Sequence, residues 1–216
     1  SLDCFDQFSV SAEDRVRGEL YRAESGRRQL QSAVVDMPTF YRQLAMKVTF
    51  GINQSSQVSR AAQMTNRTNQ FNMHTIRCSE DDIRRFMDSG DHEVITLALE
   101  DRFGDSGVVG LAIIRKAPQE WVLHQFLMSC RILGRTVEQA FVKWIAGRAK
   151  SAGAAQIVGQ VAPTPKNKPF ADFYKSCGFA VQSPGQAPVE WILPLANVDT
   201  TIPDWIAIQS PDSEVS

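Results

Sequence analysis

The chain has 216 residues, of which 43% are apolar and 22% are charged, as in an ordinary globular protein and unlike a disordered one. Its 23 basic and 24 acidic residues leave a formal net charge of −1, so no overall field would draw it to nucleic acid or anionic lipid. The longest apolar runs, 108–114 and 121–128, are far shorter than the roughly 20 residues of a membrane helix. We therefore expect neither nucleic acid nor a membrane as a partner.

The amino terminus and the cysteines indicate the compartment. The first residues lack the basic and apolar regions of a secretory signal, and the missing initial Met indicates a piece of a longer protein. The four cysteines lie far apart and form no C-x-x-C pair, which argues against a metal site and fits reduced thiols. They are Cys4, Cys78, Cys130 and Cys177. We expect a cytoplasmic chain without a metal.

The first 90 residues have mostly helical patterns. Ser11 and Ser79 are N-cap candidates that precede acidic first turns, and Asp36 precedes a proline at the start of a helix. The segment 65–72 is crowded with side-chain amides and hydroxyls, which favour loops. The predicted elements are helices over about 11–31, 37–44 and 79–88 and a strand over 47–50.

The rest of the chain alternates between strands and helices. Three successive strand patterns separated by Gly, Asp and Pro turns predict a β-meander, and a long helix then leads to a further strand. This β-α-β unit makes part of the sheet parallel. The predicted elements are strands over 94–99, 108–115, 121–130, 157–161 and 189–195 and helices over about 137–152 and 170–177.

These elements predict an α/β fold with a mixed (α+β) sheet. We expect a helical extension with the first strand over 1–56, the main domain over 57–197 and a poorly ordered tail over 198–216, where Pro, Asp and Ser dominate. The two parts form one compact unit or two closely docked lobes.

The junction 129–136 between a predicted strand and a predicted helix is the best candidate site. Backbone N–H groups converge at a helix start, where they bind phosphate and lower the pKa of a thiol. Arg131 and Arg135 would bind phosphate there, or they lie in a solvated first turn. Gly134 permits a tight turn or the close approach of a ligand.

Two short motifs resemble those of a known fold. They are Arg131-x-x-Gly134-x-Thr136 followed by a helix, and Asp172-Phe-Tyr-Lys-Ser-Cys-Gly-Phe179. The first is similar to the pyrophosphate loop of the GNAT acyltransferase fold, and the second is similar to its late F-Y-x-x-x-G-F segment. The resemblance implies a GNAT-like fold and phosphate or pantetheine binding by this loop, Thr136 included. It also places Tyr174 where many such enzymes keep a phenol as general acid, although a core tyrosine fits equally.

A narrower resemblance, from about residue 13 to residue 179, rests on four segments, 60–72, 101–105, 129–135 and 163–167. These segments are similar to the carboxy-terminal region of FkbH-like proteins. Members of that family take a glyceryl group from a phosphorylated glycerate donor onto a cysteine, remove the phosphate, and pass the D-glyceryl unit to the phosphopantetheine thiol of an acyl carrier protein, usually in polyketide biosynthesis. Full-length members begin with a haloacid dehalogenase-like phosphatase carrying a D-x-D-x-T motif, which this chain lacks. The resemblance therefore implies a carrier protein and a phosphatase domain, in cis or in trans, as partners.

Cys130 is the nucleophile that this resemblance implies. A thiolate is a good nucleophile and a good thioester leaving group, so thioester exchange with a pantetheine thiol is nearly isoenergetic. No other bound cofactor is expected. The alternative is a buried structural cysteine at a strand end, which is the common fate of a free Cys.

Several polar residues in the matched segments are substrate-binding candidates. Asn69, Gln70 and Asn72 would form an amide-rich wall for the glycerate hydroxyls or an oxyanion, or they cap local turns. Asp101 is a further candidate, although its charge could simply pair with a neighbour. Asn167 follows the parallel strand, where open α/β sheets bind ligands.

Two other functions fit the same patterns. One is an acetyl-CoA-dependent N-acetyltransferase, which transfers directly from CoA to an amine and needs no cysteine. The other is a non-catalytic module that docks a carrier protein.

Overall fold

The computed structural model describes residues 12–182, 185 and 187–209. Each predicted helix and strand corresponds to an observed element, with small shifts of the ends. The helices are α1 (Ala12–Ala33), α2 (Met37–Leu44), α3 (Val58–Arg67), α4 (Glu80–Asp88), α5 (Val137–Ser151) and α6 (Phe173–Ser176). The strands are β1 (Met46–Ile52), β2 (His92–Asp101), β3 (Gly104–Lys116), β4 (Glu120–Met128), β5 (Gln156–Val161), β6 (Ala180–Val181), β7 (Val189–Pro194) and β8 (Ile206–Gln209).

Local sequence explains the helix starts. The Asp36 side chain accepts a hydrogen bond of 2.8 Å from the Thr39 N–H, and Ser79 and Asp82 form a reciprocal capping box at the start of α4. Each cap satisfies N–H groups that the first turn of a helix leaves without a partner.

The eight strands form one sheet in the order β6-β7-β5-β4-β3-β2-β1-β8. The pairs β4/β5 and β1/β8 are parallel, and the other pairs are antiparallel. The predicted mixed α/β fold is therefore confirmed.

Helices cover both faces of this sheet, because consecutive apolar residues in its central strands point in turn to the two faces. In β2, Ile95 and Leu97 pack in the larger core with α2, α5 and α6, while Val94 packs in a smaller core with α3 and α4. Helix α3 therefore lies on the opposite face of the sheet from α5.

The parallel strands β4 and β5 separate after the pair Leu123↔Gly159. The chain's own segment 71–73 fills the gap between them. The Met73 N–H donates to the Phe126 carbonyl of β4 at 2.9 Å, and the Ala162 N–H, just after β5, donates to the Met73 carbonyl at 2.8 Å. The Phe71 ring packs edge-on against Phe126 at 6.1 Å between centroids. This opening between the strands is closed by backbone hydrogen bonds and an aromatic cluster.

The expectation of a poorly ordered tail is wrong for residues 198–209. Strand β8 extends the sheet beside β1, and Ile206 is buried. The Trp205 indole N–H donates to the Thr136 hydroxyl at 2.9 Å, and its ring lies 5.6 Å from that of Tyr41. Although the segment is polar overall, its short apolar run 205–208 packs against the rest of the fold and so orders it. Residues 210–216 of the predicted tail lie outside the described residues, as does Cys4.

The first strand also pairs with β2 and so belongs to the main sheet rather than to a separate lobe. Among the helices that the structure describes, none is both long and apolar enough to cross a membrane.

Candidate active site

The site begins at the turn that follows β4. The Ser129 N–H donates to the Val109 carbonyl at 2.7 Å, and a short 3-10 turn then covers Cys130–Ile132. Ile132 is buried and anchors the turn, whereas Cys130 is exposed. The alternative of a buried structural Cys130 is therefore wrong, because the turn directs this residue away from the core.

The other described cysteines differ from Cys130. Cys78 is buried, and burial raises its pKa. Burial also raises the pKa of the half-buried Cys177 to about 12. Because the thiolate is the reactive form, these two cysteines are poor nucleophiles.

Cys130 lies in the wall of a cavity of about 740 Å³. This volume is within the roughly 300–1,000 Å³ of small-molecule sites. The wall consists of one face of α3, the segment that follows it, the turn after β4 and the loop after β5. The polar lining residues are Arg60, Gln63, Arg67, Thr68, Asn69, Gln70, Ser129, Cys130, Arg131 and Lys166.

The cavity wall is strongly cationic. Arg60, Arg67, Arg131 and Lys166 line it, and none of the lining residues is Asp, Glu or His. Burial lowers the pKa of Arg60, and the positive charges of Arg131 and Arg67 lower it further. Such a concentration of like charge favours an anionic ligand or an anionic transition state.

Three of the polar lining residues come from one face of α3. Arg60, Gln63 and Arg67 follow an i, i+3, i+7 pattern, so they lie on one face of a helix. The Arg60 guanidinium donates to the Val108 carbonyl at 2.7 Å and to the Gln63 side chain. Sequence reasoning missed Arg60, Gln63 and Arg67 as site residues, and this spacing could have identified them. It also missed Lys166, which directly precedes the candidate Asn167.

Two of the predicted substrate-binding amides do line the cavity. Asn69 and Gln70 are both in its wall, and Gln70 is exposed. The Asn69 side-chain oxygen accepts a hydrogen bond from Arg77. Their role in binding substrate stays a prediction.

Asn72 is a structural residue instead. It is fully buried, and its amide nitrogen donates to the Thr68 carbonyl at 2.9 Å. Its side-chain oxygen accepts from the Thr75 N–H at 2.8 Å and from Gln125 at 3.0 Å. Because both ends of the amide are engaged inside the fold, Asn72 does not form part of the predicted amide wall.

Asn167 is likewise engaged inside the fold. It is 3% exposed, and its amide nitrogen donates to the carbonyls of Asn72 and Ala162 at 3.0 and 2.9 Å. Its side-chain oxygen accepts from the Thr164 N–H at 2.7 Å. Asn167 thus holds the loop after β5 against the segment 71–73 that fills the gap between β4 and β5. In this place it positions the neighbouring Lys166 and does not itself face the cavity beside Cys130.

Asp101 and Arg135 pair with each other and with α1. The Asp101 carboxylate, wholly buried, accepts from Arg27 at 2.7 and 2.9 Å and from Arg135 at 3.3 Å. Arg135 also donates to the Arg131 carbonyl at 2.7 Å. Asp101 and Arg135 therefore fix α1 to the turn after β4, and the structure places neither in the cavity.

The rest of the junction before α5 is closed in the same way. The Gly134 N–H donates to the Glu138 carboxylate at 3.1 Å, and the Gly134 carbonyl accepts from the Tyr41 hydroxyl at 2.9 Å. Thr136 accepts from the indole of Trp205. The carboxylate of Glu138 thus occupies the place that an anionic ligand would take. Of the predicted phosphate-binding residues Arg131, Gly134, Arg135 and Thr136, only Arg131 reaches the cavity.

Tyr174 lies in the core and not in the cavity. It is 1% exposed, and its ring fills the space over Gly159, where a Cβ atom would come within 2.7 Å of it. Its hydroxyl has no hydrogen-bond partner among the described residues, and burial raises its pKa well above the ordinary range. A group so placed cannot exchange a proton with a ligand in the cavity, so the core alternative for Tyr174 is the correct one.

Comparison with known proteins identifies the fold. No protein-family model and no curated protein sequence matches the chain. Solved structures do match it, three of them at identities of 13–17%. A GNAT-family protein from Desulfovibrio desulfuricans superposes with a TM-score of 0.55 at 13% identity, over 69% of this chain and 99% of the other.

Two further structures agree. The ribosomal-protein-S18-alanine N-acetyltransferase of Escherichia coli has a TM-score of 0.52 at 14% identity, over 72% of this chain and 98% of the other. The GNAT domain of PAT from S. lividans has a TM-score of 0.52 at 17% identity, over 68% and 89% of the two chains. The predicted GNAT-like fold is therefore confirmed, and the resemblance to FkbH-like proteins stays a prediction.

Proposed function

We propose that this chain is an acyltransferase that holds a D-glyceryl group as a thioester on Cys130 and passes it to the phosphopantetheine thiol of an acyl carrier protein. The observation that carries the proposal is the exposed Cys130 thiol in the wall of a cationic cavity, on a fold shared with acyltransferases. The choice of D-glyceryl as the acyl group and of a carrier protein as the acceptor is based on the resemblance to FkbH-like proteins.

The chemistry takes two thiol additions. The Cys130 thiolate attacks the carbonyl carbon of the activated glyceryl donor, and the resulting oxyanion collapses to a thioester as the donor's leaving group departs with the bonding electron pair. The pantetheine thiolate then attacks this thioester and expels the Cys130 thiolate. Each addition places a negative charge on the carbonyl oxygen, and the cationic cavity wall stabilises that charge.

The donor derives from phosphoglycerate, so a phosphate must be removed in the overall reaction. The chain has no D-x-D-x-T motif, and we assign that step to a haloacid dehalogenase-like phosphatase domain in cis or in trans.

Intact-protein mass spectrometry tests the proposal. The chain is incubated with glyceryl-loaded carrier protein, or with a glycerate phosphate donor and a competent phosphatase partner. We expect a glyceryl mass increment on wild type and on the matched control Cys177→Ala, and none on Cys130→Ala. No increment on wild type, under conditions that load a full-length FkbH-like protein, would contradict the proposal. Carrier binding that is unchanged in Cys130→Ala, together with no adduct, would instead support a docking module.

An acetyl-CoA-dependent N-acetyltransferase is the second candidate, because the similar solved structures include such enzymes. Two features oppose it. The Glu138 carboxylate occupies the start of α5, and the Tyr174 hydroxyl is sealed in the core. A CoA pyrophosphate that bound at the predicted loop would have to displace that carboxylate.

The variants Tyr174→Phe and Cys130→Ala together separate the two candidates. Tyr174→Phe removes a buried hydroxyl that has no hydrogen-bond partner among the described residues, so it should leave glyceryl loading within about twofold of wild type. It should not destabilise the fold, because the cost of burying an unpaired hydroxyl is removed. Loss of transfer from acetyl-CoA to an amine in Tyr174→Phe, with Cys130→Ala fully active, would favour the N-acetyltransferase.

A further inference from the structure

Four cations from three separate chain segments meet at the cavity beside Cys130. Arg60 and Arg67 come from α3, Arg131 from the turn after β4, and Lys166 from the loop after β5. Arg131 and Lys166 are exposed, as is Arg67. In the described ranges of the chain, none of the four forms an ion pair with a carboxylate.

The fold maintains this arrangement against repulsion. Arg60 is held in the wall by its hydrogen bonds to the Val108 carbonyl, although the charges of Arg131 and Arg67 oppose its own. Arg131 and Lys166 are positioned by buried polar residues, since Arg135 binds the Arg131 carbonyl and Asn167 ties down the loop that carries Lys166. Clustered cations that are fixed in a concave site and lack a protein anion are suited to an anionic ligand.

We propose that this cavity is a phosphate-binding site, formed by Arg60, Arg67, Arg131 and Lys166, that anchors a phosphorylated substrate with its acyl or thiol end at Cys130. Guanidinium groups bind phosphate oxygens through paired N–H groups, and the lysine adds a point charge. The amides of Asn69 and Gln70 lie in the same wall and match the hydroxyl or amide groups next to the phosphate.

Two substrates of the proposed function carry such a group. One is the phosphopantetheine arm of a carrier protein, and the other is a small phosphorylated glycerate donor. The identity of these sources rests on the proposed function, but phosphate binding itself does not require a reactive Cys130.

Isothermal titration calorimetry on Cys130→Ala tests binding separately from acyl transfer. Two ligand pairs are compared, phosphopantetheine with pantetheine and phosphoglycerate with glycerate. For at least one pair we expect the phosphorylated member to bind at least about tenfold more tightly, as hydrogen bonds between charged groups imply. The preference should shrink as salt is added, because ions screen exposed charges. The pair with the larger preference identifies the source of the phosphate.

Single charge removals locate the site. In the described part of the chain the side chains of Arg67 and Lys166 have no hydrogen-bond partner, so Arg67→Gln and Lys166→Gln should fold as wild type does. Each should weaken binding of the preferred phosphorylated ligand by about fivefold to tenfold and leave its dephosphorylated partner unaffected. The matched control Arg115→Gln removes an exposed charge at the other end of β3 and should change neither affinity.

Equal affinities within both ligand pairs, or equal effects of Arg67→Gln and Arg115→Gln, would overturn the inference. A phosphate preference that persists although no glyceryl adduct ever forms on wild type would support the site while contradicting the proposed function.

Discussion

Arg131 and Arg135 lie four residues apart in the same junction between β4 and α5, yet their surroundings are opposite. Arg135 is buried and pairs with Asp101, which also binds Arg27. Arg131 is exposed in the cavity wall beside Cys130, with Arg60 as a cationic neighbour. The fold thus neutralises the charge of Arg135, whereas that of Arg131 stays exposed in the cavity, where we propose that it binds phosphate.

We call Arg135 with its partners Asp101 and Arg27 the paired half of the junction, and Cys130 with Arg131 the open half. The paired half also supports the open half. Arg135 donates to the Arg131 carbonyl, so the buried ion cluster that holds α1 fixes the turn on which Cys130 lies. Changes in the paired half should therefore reduce stability, whereas changes in the open half should reduce reactivity or binding.

Thiol alkylation should give the largest contrast. The exposed Cys130 should react with iodoacetamide at least about a hundredfold faster than Cys177, because burial keeps Cys177 almost entirely in the unreactive thiol form. Peptide mapping by mass spectrometry over time measures each rate. Similar rates for Cys130, Cys78 and Cys177 in the folded protein would contradict the assignment of Cys130 to an open site. As a control, the three alkylation rates should become similar in denaturant.

Asp101→Asn tests the paired half. The change leaves the buried Arg27 and Arg135 with only the half-exposed Glu24 as a counter-charge, at 3.9 and 3.6 Å, so the free energy of unfolding should fall by about 3–5 kcal/mol. Urea denaturation followed by circular dichroism measures it. The control Asp204→Asn breaks an exposed ion pair with Arg42 and should cost less than about 1 kcal/mol. Equal costs for the two variants would remove the distinction between the paired and the open cations.

Glu138→Gln should have the smallest effect, and one that depends on pH. Burial raises the pKa of Glu138 above its ordinary 4.5, so the folded state favours the protonated form. The wild-type protein should therefore lose stability relative to Glu138→Gln as the pH rises above about 4.5 through the raised pKa, while the two are most alike below it. Urea denaturation of both proteins across this pH range measures the difference, and a difference that is constant with pH would contradict the prediction.

Most helices and strands, though not α3, β6 and β8, could be predicted from the sequence because their causes are local. The proline and caps of α2 and α4 fix their starts, and the runs of consecutive apolar residues in β2 and β3 make both faces of these strands apolar. The position of Cys130 at the end of a strand also followed from the pattern. The segment after residue 197 was wrongly predicted to be poorly ordered, because the prediction gave its polar composition more weight than the short apolar run that forms β8.

The sequence by itself determined the mixed α/β fold and identified Cys130 and Arg131 as members of one junction. Only the tertiary structure decided that Arg135 is buried against Asp101 while Arg131 is exposed near Arg60, since Asp101 and Arg60 are distant from the junction in the chain. It also decided that Asn72 and Asn167 hold the backbone together while Asn69 and Gln70 face the cavity. Residue type states what a side chain can bind, but burial and long-range contacts determine whether it is already bound.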